Sequence, residues 1–402
     1  MQGTIIEGIK FSLRAISYLI KLYLSILIFK VLYGGEPTKG QISMGSSNGK
    51  YSDENVSTLF QYLQDQRERV FYIMDPHSTD WERVESIGKV YPRFSVRANL
   101  TVFRSEVIIY DTSYVDLIRC PLRYVRHIKR INIFHGIHGL KSIDESNAKN
   151  RLRNDRYIIA SSSHEKRIKM GWGFPPDRIF VTGLPRFDVL YREKEKNSLD
   201  NTIFYMPTWR PWFRKGFLPP SEDEVEIFRN SDFYKNILQL AQSAELNNYL
   251  KTKGYYLEIY LHKLMHRYMR RIKSEAELSN ITFLSEKTDV QYQILKSKLL
   301  ITDYSSVFFD FLFLDKPVIF YQFDYEKYYQ HIPGSYISKE EIKTMRVASY
   351  SELFSKIKER LDHNDFALED DSKKLVNKYI AYYDDQNCNR VYDMIKEVTA
   401  NH

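Results

Sequence analysis

The stretch "SKLLITDYSSVFFDFLFLDKPVIFYQFD", residues 297–324, places two apolar runs on either side of Thr302, Asp303, Tyr304, Ser305 and Ser306, five residues that all carry polar side chains. "LLI" and "PVIFY" are short and rich in β-branched and aromatic residues, as in strands buried on both faces, and "VFFDFLFL" reads as a buried helix between them. Strand, polar turn, helix and second strand make the repeating unit of a parallel sheet with crossover helices. Open parallel sheets bind ligands beyond the carboxyl ends of their strands, and "TDYSS" falls there.

The same rhythm extends outward in both directions. Upstream come "RVFYIMD" (69–75), "EVIIYD" (106–111), "RINIFHG" (130–136), "RYIIASS" (156–162) and "RIFVTGLP" (178–185); nearer the quoted stretch lie "TIFYMPTW" (202–209), "YLEIYLH" (256–262) and "ITFL" (281–284). The charged "YREKEKNSLDN" (191–201) separates the two sets. This pattern predicts an α/β protein with two Rossmann-like domains facing each other. The expected spans are an N-terminal helix at 1–33, a Gly/Ser-rich linker at 34–55, a first domain at 56–190 and a second at 191–402.

Composition narrows the partners. The 402 residues are 43% hydrophobic and 27% charged, which excludes disorder, and the formal charge of +8 points to an anionic partner. Only Cys120 and Cys388 occur, so neither a disulfide framework nor a cysteine-based zinc site is expected. Basic residues are spread along the chain without a nucleic-acid-binding module, so no nucleic-acid partner is expected. In "IIEGIKFSLRAISYLIKLYLSILIFKVLY" (5–33) the longest charge-free run lies between Lys21 and Lys30, short of the ~20 residues of a span. Leu13, Ile16, Ile20, Leu24 and Leu27 share one helical face. The expectation is an amphipathic helix lying on the membrane surface, with a buried core helix or a tilted span anchored by Lys21 as the alternatives.

Several strand ends carry candidate chemistry. Ser305 and Ser306 sit where free backbone N–H groups and a helix dipole favour an anion, although a plain N-cap uses the same residue types. Asp310 lies one turn further on, facing either a ligand hydroxyl or the backbone of the turn. "FYMPTWRPWFR" (204–214) offers Arg210 and Arg214 as clamps for a diphosphate. "FHGIHGLKSID" (134–144) holds His135, His138 and Lys141; a histidine ending a strand is a candidate general base, and the glycine spacing rules out a P-loop. "HKLMH" (262–266) lacks the glutamate of a zincin helix, because Lys263 takes its place, and no metal or other cofactor is expected.

Together these residues resemble the CDP-glycerol glycerophosphotransferase family, the teichoic-acid primases and polymerases. The resemblance rests on "HGIHGLK", "GLPRFD" (183–188), "PTWR" (207–210), the strand ending in His262, and "ITDYSSVFFDFLFLDKPVIFY" (301–321). It implies a GT-B architecture, two Rossmann-like domains across a central cleft, with an acceptor domain first and a CDP-alcohol domain second. It implies transfer of glycerol phosphate or a related polyol phosphate from CDP-glycerol or CDP-ribitol to a lipid-linked polyol-phosphate or glycan acceptor at the cytoplasmic membrane face. By position, His135 matches the base, while Arg210, His262, Ser305 and Ser306 match donor-phosphate contacts. Thr302, Asp303 and Asp310 are expected to line the donor site, and His138, Lys141 and Arg186 are further candidates. The loop has one residue more before its lysine than the common form, so His138 competes with His135. A nucleotide-sugar glycosyltransferase and a catalytically silent polyanion-binding membrane protein are the alternatives.

Overall fold

The computed structural model describes residues 2–196, 199–213, 220–262, 265–269 and 278–400. Among these, thirteen strands form two parallel sheets. The first holds β1 (Thr38–Gly45), β2 (Arg69–Met74), β3 (Val90–Pro92), β4 (Ser105–Tyr110), β5 (Lys129–Asn132), β6 (Tyr157–Ala160) and β7 (Ile179–Val181), in the order β3-β2-β1-β4-β5-β6-β7. The second holds β8 (Asp200–Met206), β9 (Tyr256–Ile259), β10 (Ile281–Phe283), β11 (Ser297–Thr302), β12 (Val318–Tyr321) and β13 (Arg346–Val347), in the order β10-β9-β8-β11-β12-β13. Renumbered from its first strand, that order is 3-2-1-4-5-6, the Rossmann arrangement, and the strand order reverses between β8 and β11. Their register sets Thr302 beside Met206, so the turns that follow both strands emerge side by side at this switch point.

The chain forms two compact units, Met1–His135 with Glu145–Val189 and Asp384–His402, and Gly136–Asp144 with Leu190–Tyr383. Three features differ from the expected spans. The stretch read as a linker contains β1, a central strand paired with both β2 and β4. Its sequence, TKGQISMG, hides this because Gln41 and Ser43 are buried; the Gln41 amide donates to Thr101 O at 2.8 Å, and Ser43 Oγ lies 2.7 Å from Ser105 Oγ. The segment 136–144 packs with the second unit. The chain end returns to the first unit because Asp188 accepts from Asn387 N and Cys388 N, both at 2.8 Å, and so satisfies the start of the terminal helix Asn387–Ala400.

Helix α1 (Gln2–Tyr33) is also integrated into the first unit. Leu22, Ser25, Ile26 and Phe29 are buried, packed on the helix Val96–Phe103 and its neighbours, and Phe29 stacks on Phe103 at 5.9 Å and on His127 at 5.5 Å. Tyr18 Oη donates to Arg119 O at 2.9 Å. Ile16, Ile20, Tyr23, Leu27 and Val31 stay exposed. The segment Ala15–Tyr33, 19 residues of mean hydropathy 1.9, is long and apolar enough by length and composition to cross a membrane, although 22% of it is buried against the protein.

Candidate functional site

In the second unit the five polar residues of the opening stretch divide into two groups. Thr302, Asp303 and Tyr304 turn inward and hold the turn. Thr302 Oγ1 donates to Met206 O at 2.7 Å, and Asp303 Oδ1 accepts from Thr208 N at 2.8 Å and Tyr304 N at 2.6 Å. The Tyr304 ring stacks on Tyr328 with centroids 3.6 Å apart and planes 2° from parallel. Ser305 and Ser306 remain half-buried at the surface of the turn. Ser305 Oγ accepts from Val307 N at 3.4 Å, and the following helix, Phe308–Phe313, begins after Val307 without a side-chain cap. Neither serine is therefore an ordinary N-cap.

Arg210 departs from expectation. It is 0% exposed, and its guanidinium donates to Asp303 Oδ2 at 2.6 Å, to Thr208 O at 2.7 Å and, side-on, to both oxygens of Asp324 at 2.6 and 3.0 Å. Burial would lower its pKa, but the two carboxylates outweigh burial and hold it above the ordinary arginine value. Arg210 thus ties the two turns at the switch point together. Thr302, Asp303 and Asp310 are buried too; Asp310 lies within the buried helix. His262 follows β9 as an exposed residue, with its carbonyl accepting from Met265 N at 2.7 Å. Arg214 and Lys263 lie outside the described residues.

The loop 136–144 is fixed to this unit through its backbone. Gly139 O accepts from Tyr336 N at 2.8 Å, Leu140 O from Tyr329 Oη at 2.8 Å, and Ser142 N donates to Gly334 O at 2.8 Å. A Cβ on Gly136 would stand 2.5 Å from Ser306 Oγ, and one on Gly139 would stand 2.9 Å from the Phe309 ring. Glycine is needed at both places because the loop lies directly on the serine turn and its helix. His138 and Lys141 are half-buried on this loop.

In the first unit, His135 is exposed just past β5, and the residue before it is strained. Phe134 has φ +51°, a left-handed backbone that costs a bulky residue about 1–3 kcal/mol and that clusters at functional sites. Phe134 N donates to Asn132 Oδ1 at 2.9 Å, Phe134 O accepts from Asn55 Nδ2 at 2.9 Å, and His135 O accepts from Arg186 Nη1 at 2.8 Å. The buried Phe134 ring faces the Lys169 ammonium at 4.0 Å. Burial lowers the pKa of Lys169 to about 8, against the opposing charge of Glu165 at 3.1 Å. Arg186 is accordingly a buried support for the histidine backbone. Asn55, Asn132, Phe134 and Asp324 were not singled out from sequence; the capping pattern "SDEN" (52–55) was the available signal for Asn55.

Residues 29–397 match the CDP-glycerol:poly(glycerophosphate) glycerophosphotransferase family, and the chain belongs to it. It is similar to the minor teichoic acid biosynthesis protein GgaB of Bacillus subtilis (26% identity, covering 87% of this chain and 39% of that protein). It is also similar to the teichoic acid glycerol-phosphate primase of Bacillus subtilis (24% identity, 60% of this chain and 61% of that protein). The chain thus spans less than two thirds of the length of either relative. Its fold is that of the wall teichoic acid polymerase TagF, with a TM-score of 0.68 at 18% identity over 99% of both chains.

Proposed function

We propose, from this family membership, that the protein transfers glycerol phosphate or a related polyol phosphate from a CDP-alcohol to an acceptor hydroxyl. The acceptor oxygen attacks the β-phosphorus of the donor, the bond to the bridging oxygen breaks, and CMP leaves with that oxygen. His135 takes the proton of the attacking hydroxyl. Ser305 and Ser306, with His262 and the His138–Lys141 loop, hold the donor phosphates and the charge that gathers on the departing group. The carrying observation is that the half-exposed Ser306 packs against Gly136, the residue that follows His135. The donor turn of this reading therefore packs on the loop that follows the proposed base in sequence.

The acceptor in this reading is lipid-linked, and the protein works peripherally at the cytoplasmic face of the membrane. Support comes from α1, whose buried face is committed to protein and whose opposite face presents Ile16, Ile20 and Leu27. Lys21 and Lys30 flank that stripe, and Arg119, Arg123 and Arg126 are exposed on the segment that Tyr18 and Phe29 contact. Apolar insertion with basic residues nearby suits an anionic lipid surface.

The test is incubation with CDP-glycerol or CDP-ribitol and a lipid-linked acceptor, following CMP release and the bond formed. A phosphodiester product whose formation is nearly abolished in His135→Ala, leaving a small residual rate, supports the proposal. Turnover of a nucleotide sugar to a glycosidic product, with both CDP-alcohols inert, overturns it.

A further inference from the structure

Resting on the reading of His135 as the base, we infer that Asn55 is a positioning residue that fixes the aim of this histidine. Asn55 is fully buried near the start of α2 (Glu54–Asp65), where Asp53 Oδ1 accepts from its backbone N at 2.9 Å. Its side-chain amide reaches across the fold in two directions. Nδ2 donates to Phe134 O at 2.9 Å, and Oδ1 accepts from Arg186 N at 3.1 Å. Arg186 in turn donates to His135 O at 2.8 Å through its guanidinium. One amide therefore holds the peptide entering His135 and the residue that holds the peptide leaving it.

This arrangement does more than satisfy buried polar groups. The peptide it grips is the strained one, with Phe134 at φ +51°, and relaxation there would rotate the Cα–Cβ direction of the next residue. Asn132 Oδ1 takes the Phe134 N–H, and Asn132 is itself held by donation to Asp155 Oδ2 at 3.1 Å and Thr112 O at 3.2 Å. The β5 side of the turn is thus anchored independently of Asn55. Release of the Asn55 side would leave the turn free to relax from one end, moving the base and little else.

The experiment is a double-mutant cycle between Asn55 and His135, read with CDP-glycerol and the acceptor of the preceding assay. Asn55→Asp keeps the volume and the acceptor for Arg186 N, but sets an acceptor against Phe134 O. In the wild-type background kcat falls about 10- to 100-fold, the loss expected for a misplaced catalytic group, while KM for CDP-glycerol stays within about twofold. In the His135→Ala background the same substitution causes no further loss, because a residue that acts through the base has nothing left to position. Asn55→Ala serves where the aspartate variant gives no folded protein, with circular dichroism and the melting temperature as checks. A folded Asn55 variant with wild-type kcat, or one that lowers the residual rate of His135→Ala by the same factor, overturns the inference. Full activity in His135→Ala would instead sink the functional reading beneath it.

Discussion

Arg210 and Asp324 form a side-on, two-point ion pair in the core of the second unit, with Nε–Oδ2 at 2.6 Å and Nη2–Oδ1 at 3.0 Å. The remaining guanidinium nitrogen, Nη1, serves Asp303 and the Thr208 carbonyl. The arginine therefore ties the turn after β8 to the turn after β11, and the Tyr304 hydroxyl joins the same carboxylate at 3.2 Å. Removing it would leave two buried carboxylates without their cation. Arg210→Met is expected to destabilise the protein by about 3–5 kcal/mol. Urea denaturation measures this directly. A variant of native stability that has merely lost affinity for CDP-glycerol would return Arg210 to the ligand.

The contact between Gly136 and Ser306 yields a second expectation. A methyl group at 136 would lie 2.5 Å from Ser306 Oγ and 3.1 Å from Ser306 Cβ, so Gly136→Ala must push the serine turn away. Turnover should fall at least tenfold by the sensitivity of catalysis to displacements near 1 Å. Ser306→Ala removes the closer of the two clashing atoms, so the double variant should recover part of the rate lost in Gly136→Ala. Rates of the two single variants and the double decide the matter; simple multiplication of the two losses would mean the clash is not the cause.

Much of this architecture is legible in the sequence, for a physical reason. Strands such as "LLIT" and "VIFY" are buried on both faces and appear as short unbroken apolar runs, so the second sheet is visible almost from end to end. β1 is equally central, yet it reaches burial with Gln41 and Ser43, whose polar groups are satisfied by Thr101 and Ser105 far along the chain. No local pattern carries that information. The candidate site divides in the same way. Ser305, Ser306 and His135 are found by their place at strand ends, whereas the burial of Arg210 depends on Asp324, a partner 114 residues away. Residue type predicted a charged anchor at 210; only tertiary packing says that the anchor faces inward.

Stability should also carry a pH signature from Asp155. Burial raises its pKa to about 6 from 3.8, while it accepts from Tyr110 Oη at 2.9 Å and from Asn132 Nδ2. Between these values the folded state keeps a proton that the unfolded state releases, so raising the pH favours unfolding through that window. The penalty is complete above about pH 6 and amounts to roughly 3 kcal/mol. Asp155→Asn has no such proton to lose. Its stability relative to wild type should therefore rise as pH increases from about 4 to 6, then level off. Parallel denaturation series across that range test it, and a constant gap would mean Asp155 titrates normally.

On the proposed reading, the N-terminal helix gives one face to the fold and the other to a membrane surface. Leu22, Ile26 and Phe29 belong to the core of the first unit, while Ile20 and Leu27 are 63% and 59% exposed on the same helix. Phe29→Ala should cost about 3 kcal/mol by leaving a cavity beside Phe103. Deletion of 1–33 removes all three core side chains and uncovers the helix Val96–Phe103, so the truncated protein should melt at a lower temperature and aggregate. Ile20→Glu with Leu27→Glu touches only the outer face. It should leave the melting temperature unchanged while weakening binding to vesicles containing anionic phospholipid, since burying even one glutamate in the acyl boundary opposes insertion. Vesicle co-sedimentation and thermal melts on the three variants distinguish the roles. A truncated protein as stable as the full chain would show that the buried face of α1 contributes nothing to the fold, and unchanged vesicle binding by the double glutamate variant would remove its outer face from the membrane.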